Sequence, residues 1–461
     1  MIIPFITRLL YATRKAAQWM NTSQMLVTGF GGIILLGTIL LMLPWASTTT
    51  PLSFVNALFT ATSATCVTGL IVVDTATAFT LFGKMVILGL IQVGGLGIMT
   101  ISTFLLYLIH GKLTLSSRGF LEETLSQSPM QHLRALLKTV FYATVSIEAI
   151  GTIILTVRFM GEMPVYKAFF FGLFHSVSAF CNAGFSLFSD SLIGYQSDLI
   201  VNITIAILII LGGVGFVVLF ELNQYRRGEV RRLTLHSRLV LLFSFLLICS
   251  GAIIFWLLEM ENSLKGHSFL SSLEISLFQS ITARTAGFNT IDLAHLSNPT
   301  LFIMIILMFI GASPGSCGGG IKTTTFAVLL AFIRSRFYNQ PAVNIFQRRI
   351  PSEAVSKAVT VAFFSVVLIS LLTMFLLITE LTGVSHQESR GLFLEMLFEV
   401  TSAFGTVGLS LGVTPKLTAL GKLLITFMMF VGRLGPITLA VAVGNREKTN
   451  YFYAQEDVLI G

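Results

Sequence analysis

Charge is what this sequence has least of. Only 11% of its 461 residues are Asp, Glu, Lys or Arg, against about 25% in an ordinary soluble domain. No stretch is long and polar enough to fold as a separate soluble domain, which argues against a resident nucleotide-binding fold. Cysteine is scarce too. Cys66, Cys181, Cys249 and Cys317 all fall in apolar or Gly-rich segments, where thiols act as small hydrophobes, so no disulfide framework is expected. Metal-ligand spacing is missing among His110, His132, His175, His236, His267, His295 and His386. The run GGGIKTTT ending at Thr325 fails as a phosphate-binding loop, because Ile321 separates Gly320 from Lys322. Nothing in the sequence supports an enzyme.

Apolar length is abundant. The chain is 54% apolar with 40 Phe, and its mean hydropathy is +0.86. At about 20 apolar residues per bilayer crossing, the runs predict eight membrane helices, near residues 25–45, 82–109, 134–157, 199–221, 236–258, 300–333, 355–379 and 420–443. The N-terminus and the loops after the second, fourth, sixth and eighth crossings hold 19 of the 29 Lys and Arg, including Arg226, Arg227, Arg231, Arg232 and Arg238. Such an excess marks the cytoplasmic side. Both termini are therefore expected in the cytoplasm, with residues 1–24 a basic lead rather than a signal peptide. The net charge of +8 thus reflects membrane topology, and a nucleic-acid partner is not expected.

Each outward link holds a moderately apolar stretch of roughly 12 residues, too short to span the bilayer. These stretches are copies of one another: LFTATSATCVTGL from Leu58, LFHSVSAFCNAGF from Leu173, LFQSITARTAGF from Leu277 and LFEVTSAFGTVGL from Leu397. Phe54, Phe169 and Phe393 stand four residues before the Leu, with Leu273 in the third copy. The following crossing repeats as well, at Gly94-Gly95-Leu96-Gly97, Gly212-Gly213-Val214-Gly215, Gly311 onward and Gly432-Arg433-Leu434-Gly435. The unit is a helix, a re-entrant half-helix, a loop and a helix.

Four such units predict an all-α polytopic membrane protein whose four loops surround one central pore. Non-helical backbone at membrane depth needs such a setting, since only protein or a water-filled cavity satisfies its polar groups. A half-helix entering from outside points its C-terminal dipole, about half a negative charge, at the pore and so favours a cation. Rings of backbone carbonyls then select the ion. The expected units are 25–109, 110–221, 222–335 and 336–445, followed by a cytoplasmic tail at 446–461. A competing reading is an alternating-access carrier that couples cation or ammonium movement to sodium or protons at broken helices. An even number of helices per unit keeps all four copies the same way up, which favours the pore.

Those residues are similar to the Trk/Ktr/HKT superfamily of potassium transporters over nearly the whole chain. The resemblance implies a filter with one Gly per repeat, at Gly69, Gly184, Gly287 and Gly408. Its ion-binding carbonyls would lie along Val67, Thr68 and Gly69; Asn182, Ala183 and Gly184; Thr285, Ala286 and Gly287; and Thr406, Val407 and Gly408. Gly69, where sodium-transporting relatives carry Ser, implies potassium. The early first crossing and the short tail ending Val458-Leu459-Ile460-Gly461 resemble the KtrB-type membrane subunit. That branch implies a homodimer working with a cytosolic nucleotide-binding regulatory ring of the KtrA type. No cofactor on this chain is implied, with potassium as substrate and the role of sodium open. The basic loops 110–134, 222–238 and 334–357 would dock the regulator, with anionic membrane lipid as the competitor.

The sixth crossing is irregular. Gly311, Ala312, Ser313, Pro314, Gly315, Ser316, Cys317, Gly318, Gly319 and Gly320, followed by Lys322, interrupt an otherwise apolar run. Proline removes a backbone donor, and each Gly costs about 1 kcal/mol in a helix interior. The segment reads either as a packing kink or as a loop that obstructs permeation, and the resemblance implies an intramembrane gating loop. Arg433 reads as an anchor to neighbouring carbonyls or as the cation holding that loop. Lys322 can snorkel to the cytoplasm. Glu148 pairs with a polar neighbour or relays an ion. Arg284 either balances Glu399 or meets extracellular water.

Overall fold

A computed structural model describes residues 22–97, 133–385 and 387–443. The basic lead up to residue 21, the end of the second crossing with most of the loop at 110–134, and the tail at 446–461 lie outside the described residues.

Each repeat begins with a long apolar helix: Thr22–Met42, Leu133–Phe159, Leu235–Glu259 and Ser352–Leu381. These four are long and apolar enough to cross a membrane unbroken. The half-helices follow at Phe54–Thr65, Val165–Phe180, Phe269–Thr282 and Leu392–Gly405. Their C-terminal halves are buried, whereas Phe54, Phe169 and Phe393 at the far end are more than half exposed, at 53%, 53% and 59%. Exposed aromatic surface of this kind suits a lipid-facing rim.

The closing helices are Leu81–Leu96, Leu199–Val214, Asn298–Phe309 and Ala419–Leu434. Thr80, Asp198 and Thr418 cap three of them by accepting the backbone N–H of Gly83, Val201 and Gly421. The order of packing is cyclic. The closing helix of the first repeat lies on the half-helix of the second, that of the second on the third, the third on the fourth, and the fourth returns to the first. Sequence order alone thus closes the four units into a ring.

The expected continuous crossings at 199–221 and 420–443 are corrected. Leu199–Val214 turns by 98° into Phe216–Arg226, and Ala419–Leu434 turns by 95° into the helix that begins at Pro436. The pivots are Gly215 and Gly435, with φ of 102° and 85°. Gly97, the third glycine of the first copy, has φ 81°. A left-handed residue cannot continue a right-handed helix. Phe216–Arg226 also runs through the unit boundary expected at 221. In the third repeat the break is longer, from Ile310 to Lys322, as its Pro and glycines predict. The eight expected spans thus comprise four unbroken helices, two bent pairs, an interrupted sixth and a second of which only Leu81–Leu96 is described.

The glycine that opens the repeated glycine run in the first, second and fourth closing helices serves a different end. A Cβ on Gly94, Gly212 or Gly432 would collide with the backbone carbonyl of Thr65, Phe180 or Phe404, the last turns of the half-helices. Small residues allow this approach of two backbones. Gly212→Val should therefore lower the stability of the purified protein by about 1–3 kcal/mol or more, seen as a reduced melting temperature. Gly32→Ala, which meets nothing within 4 Å, should leave the melting temperature unchanged or higher.

Candidate functional site

The half-helices end at four loops of one design. Cys66, Cys181, Ala283 and Thr406 cap them, and in each loop two positive-φ residues stand two apart. These are Val67 (58°) and Gly69 (92°), Asn182 (59°) and Gly184 (68°), Thr285 (75°) and Gly287 (80°), and Thr406 (49°) and Gly408 (90°). A left-handed conformation costs a non-Gly residue roughly 1–2 kcal/mol, and Val67 is β-branched as well. Four such residues at equivalent places are strain of the kind stored at functional sites.

The four glycines meet around an axis. A Cβ on Gly69 would strike the carbonyl oxygen of Ala183, and one on Gly184 would lie 2.7 Å from that of Ala286. A Cβ on Gly287 would strike Val407 O, and one on Gly408 would strike Thr68 O. Each loop thus sets the carbonyl just before its own glycine against the glycine of the preceding loop, and the cycle closes. Only glycine leaves room for that oxygen.

A hydroxyl within each half-helix holds the loop. Ser63 Oγ accepts from Gly69 N and Ser402 Oγ accepts from Gly408 N, both at 3.1 Å. Ser178 Oγ donates to Phe185 O at 2.8 Å, and Thr282 Oγ1 donates to Phe288 O at 2.6 Å. Backbone bonds add to this, from Thr68 N to Ser63 O, Ala183 N to Ser178 O and Val407 N to Ser402 O. The third loop is one residue shorter, and Ala286 N reaches Thr282 O instead. These hydroxyls are the Ser or Thr of the repeated pattern. Their recurrence before Ala was the available signal, but their role had not been drawn from it.

The segment Gly311–Lys322 lies against two of the loops. Gly319 N donates to Thr406 Oγ1 at 2.9 Å, and Gly318 packs so closely on the Thr285 side chain that a Cβ there would collide with it. Ser313 N and Cys317 N donate to Gly213 O and Gly212 O, and Phe216 N donates to Gly315 O. The segment is therefore pinned on the break of the second repeat. Arg433 provides a third attachment, donating to Cys317 O and to Gly94 O. It anchors neighbouring carbonyls and holds the segment at once. Its cation also meets the C-terminal carbonyls of Leu81–Leu96, where the helix dipole favours positive charge.

Three other charges differ from expectation or narrow it. Lys322 does not snorkel outward: its Nζ donates to Gly318 O at 2.6 Å. Arg284 neither balances Glu399 nor faces water. It is 8% exposed and donates to Ser244 O and Oγ, both at 3.3 Å, whereas Glu399 accepts from Ser410, Leu411 and Thr414. Glu148 has its polar neighbour, since Gln92 Nε2 donates to both carboxylate oxygens at 3.1 and 3.2 Å.

A cyclic set of glycine loops behind four half-helices decides which proteins this chain resembles. Residues 1–452 match the family model TrkH, described as cation transport protein. The chain belongs to the TrkH family of cation transport proteins. It is 40% identical to the Ktr system potassium uptake protein B of Bacillus subtilis over 97% of this chain and 99% of that one. It is 36% identical to the potassium/sodium uptake protein NtpJ of Enterococcus hirae, over 97% and 99%. In fold it resembles the crystal structure of the potassium transporter TrkH from Vibrio parahaemolyticus, with a TM-score of 0.69 and 19% identity over 91% of this chain and 85% of that one.

In this member of the TrkH family, Ser402→Ala removes the hydroxyl that accepts the Gly408 N–H. A buried donor left unpaired costs about 1–3 kcal/mol. The fourth loop should loosen, and the potassium-to-sodium uptake ratio should fall, measured with both ions in a transport-deficient strain. Ser402→Thr, which restores the hydroxyl, should recover the ratio.

Proposed function

We propose that this chain is the membrane subunit of a potassium uptake system, passing the ion through the ring of Gly69, Gly184, Gly287 and Gly408. One observation carries the reading: the carbonyls of Thr68, Ala183, Ala286 and Val407 form a closed cycle against those glycines. Carbonyl oxygens arranged in a ring replace the hydration shell of a permeating cation. The remaining filter positions are Val67, Asn182, Thr285 and Thr406, whose left-handed backbones turn each chain into the ring. Relatives named for potassium uptake at 40% and 39% identity support the choice of ion. The name of a third relative includes sodium, and sodium enters as a question of coupling to be resolved by flux. Substituting Gly69→Ser places a side chain against Ala183 O and should weaken potassium preference over sodium by about tenfold or more. Potassium uptake of unchanged affinity and selectivity after substitution at each of the four glycines would refute the filter.

In this reading Gly311–Lys322 is the gate. It lies against Thr285 and Thr406 at the start of two filter loops, and permeation must displace it. The Arg433 guanidinium holds it closed through hydrogen bonds worth about 1.5–3 kcal/mol, hence roughly tenfold or more in a two-state gate. Deleting Ser313 to Gly319 should raise potassium flux, and Arg433→Gln should act in the same direction. A correctly inserted deletion variant with unchanged or lower flux would leave the segment a packing kink.

The relatives' names refer to a Ktr system, and a system of several components fits the cytoplasmic surface expected here. Both termini are read as cytoplasmic, and the chain as one half of a homodimer. A regulatory nucleotide-binding ring would dock on the basic segments. Among them a hairpin pairs Asn344–Ile345 with Arg348–Arg349, next to Arg334, Arg336 and the 85% exposed Phe337.

A further inference from the structure

The third position of every copy of the repeated motif is polar: Thr60, His175, Gln279 and Glu399. All four are buried. In three repeats this side chain reaches the segment leaving its own glycine. His175 Nε2 lies 3.0 Å from Ser186 Oγ and accepts from Leu187 N at 3.3 Å. Its Nδ1 meets Phe171 O at 2.8 Å and donates there, which is the neutral tautomer. Gln279 Nε2 donates to Thr290 Oγ1 at 3.3 Å. The first repeat departs from the pattern, for Thr60 donates back to Asn56 O.

Glu399 alone of the four is an acid. It is fully buried and accepts from Ser410 Oγ, from Leu411 N at 3.3 Å and from Thr414 Oγ1 at 2.7 Å. The Leu411 N–H, with two hydroxyls that can turn their hydrogens inward, supplies the donors an ionised carboxylate needs. None of the ion pairs among the described residues includes it. A buried charge is costly unless an opposite charge comes near, and its field in a protein interior is screened far less than at a surface. Ser410 stands two residues beyond Gly408, and Lys416 two residues beyond Thr414; a cation held in the ring is a further opposite charge for this carboxylate to meet.

We propose that Glu399 is an affinity-determining residue for cation uptake: a fixed negative charge behind the fourth loop that raises the affinity of the ring for its ion without touching it. His175 and Gln279 brace the second and third loops without charge. This rests on the potassium reading above.

The test compares charge with brace in a transport-deficient strain. Glu399→Gln keeps the side-chain shape and removes the charge; Thr414→Val removes one hydrogen bond and keeps the charge. The potassium concentration for half-maximal uptake should rise about tenfold in Glu399→Gln, equivalent to about 1.4 kcal/mol. It should move less than about twofold in Thr414→Val, and Glu399→Asp should recover most of the loss. The maximal rate and the potassium-to-sodium ratio should stay near the parent values in all three. A Glu399→Gln variant with parental half-saturation, or Thr414→Val shifted as far as Glu399→Gln, would overturn the proposal. Thermal stabilisation of the purified variants by added potassium chloride gives a second readout independent of expression, and Glu399→Gln should need about tenfold more salt for the same shift. No saturable potassium uptake by the parent protein would instead refute the potassium reading itself.

Discussion

Four backbone oxygens fill the four places where glycine has no side chain. Gly69, Gly184, Gly287 and Gly408 each receive the carbonyl that precedes the next loop's glycine, and this interlock is the constraint on which the rest of the architecture depends. It demands two positive-φ residues per loop. It also demands a rigid support that holds Val67, Asn182, Thr285 and Thr406 in a conformation they would leave if free. The support comes from one hydroxyl per half-helix, a local device repeated four times with either direction of hydrogen bonding.

The surrounding helices can be read as consequences. Half-helices reach the ring only if the closing helices pass close to their ends, and Gly94, Gly212 and Gly432 supply that closeness. Each closing helix packs on the next repeat's half-helix, so the ring and the helical cage share one cyclic order. Beyond the close approach Leu81–Leu96 ends at Gly97, and the closing helices of the second and fourth repeats turn at Gly215 and Gly435. The third repeat replaces that pivot with the longer segment at Gly311–Lys322, and the freed backbone groups of this segment are satisfied by Gly212, Gly213, Phe216, Thr406 and Arg433. Among the described residues the closing helices depart furthest from the repeat at Gly311–Lys322, and the proposed gate is there.

Much of this was legible in the sequence. Four copies of one motif, each lying between two long apolar runs, give the unit and its number, and the single Gly near the end of each copy marks the loop. The glycine that ends each of these runs, Gly97, Gly215 or Gly435, was read only as repetition, because an isolated Gly is compatible with a membrane helix. The partners of Arg284 and Lys322 were not legible for a related reason. Composition places a cation in the membrane, but its partners are carbonyls and a hydroxyl supplied by the fold, which no spacing rule encodes. Arg433 was more transparent, since a central Arg costs about 2.5–3.5 kcal/mol even on insertion scales and so must have partners.

The most direct measurement is the position of a heavy potassium substitute in the purified protein. Anomalous diffraction from crystals grown in rubidium or thallium salt should place density on the axis among Thr68, Ala183, Ala286 and Val407, and sodium salt should remove the signal. Ordered density elsewhere in the molecule with an empty ring would contradict the account.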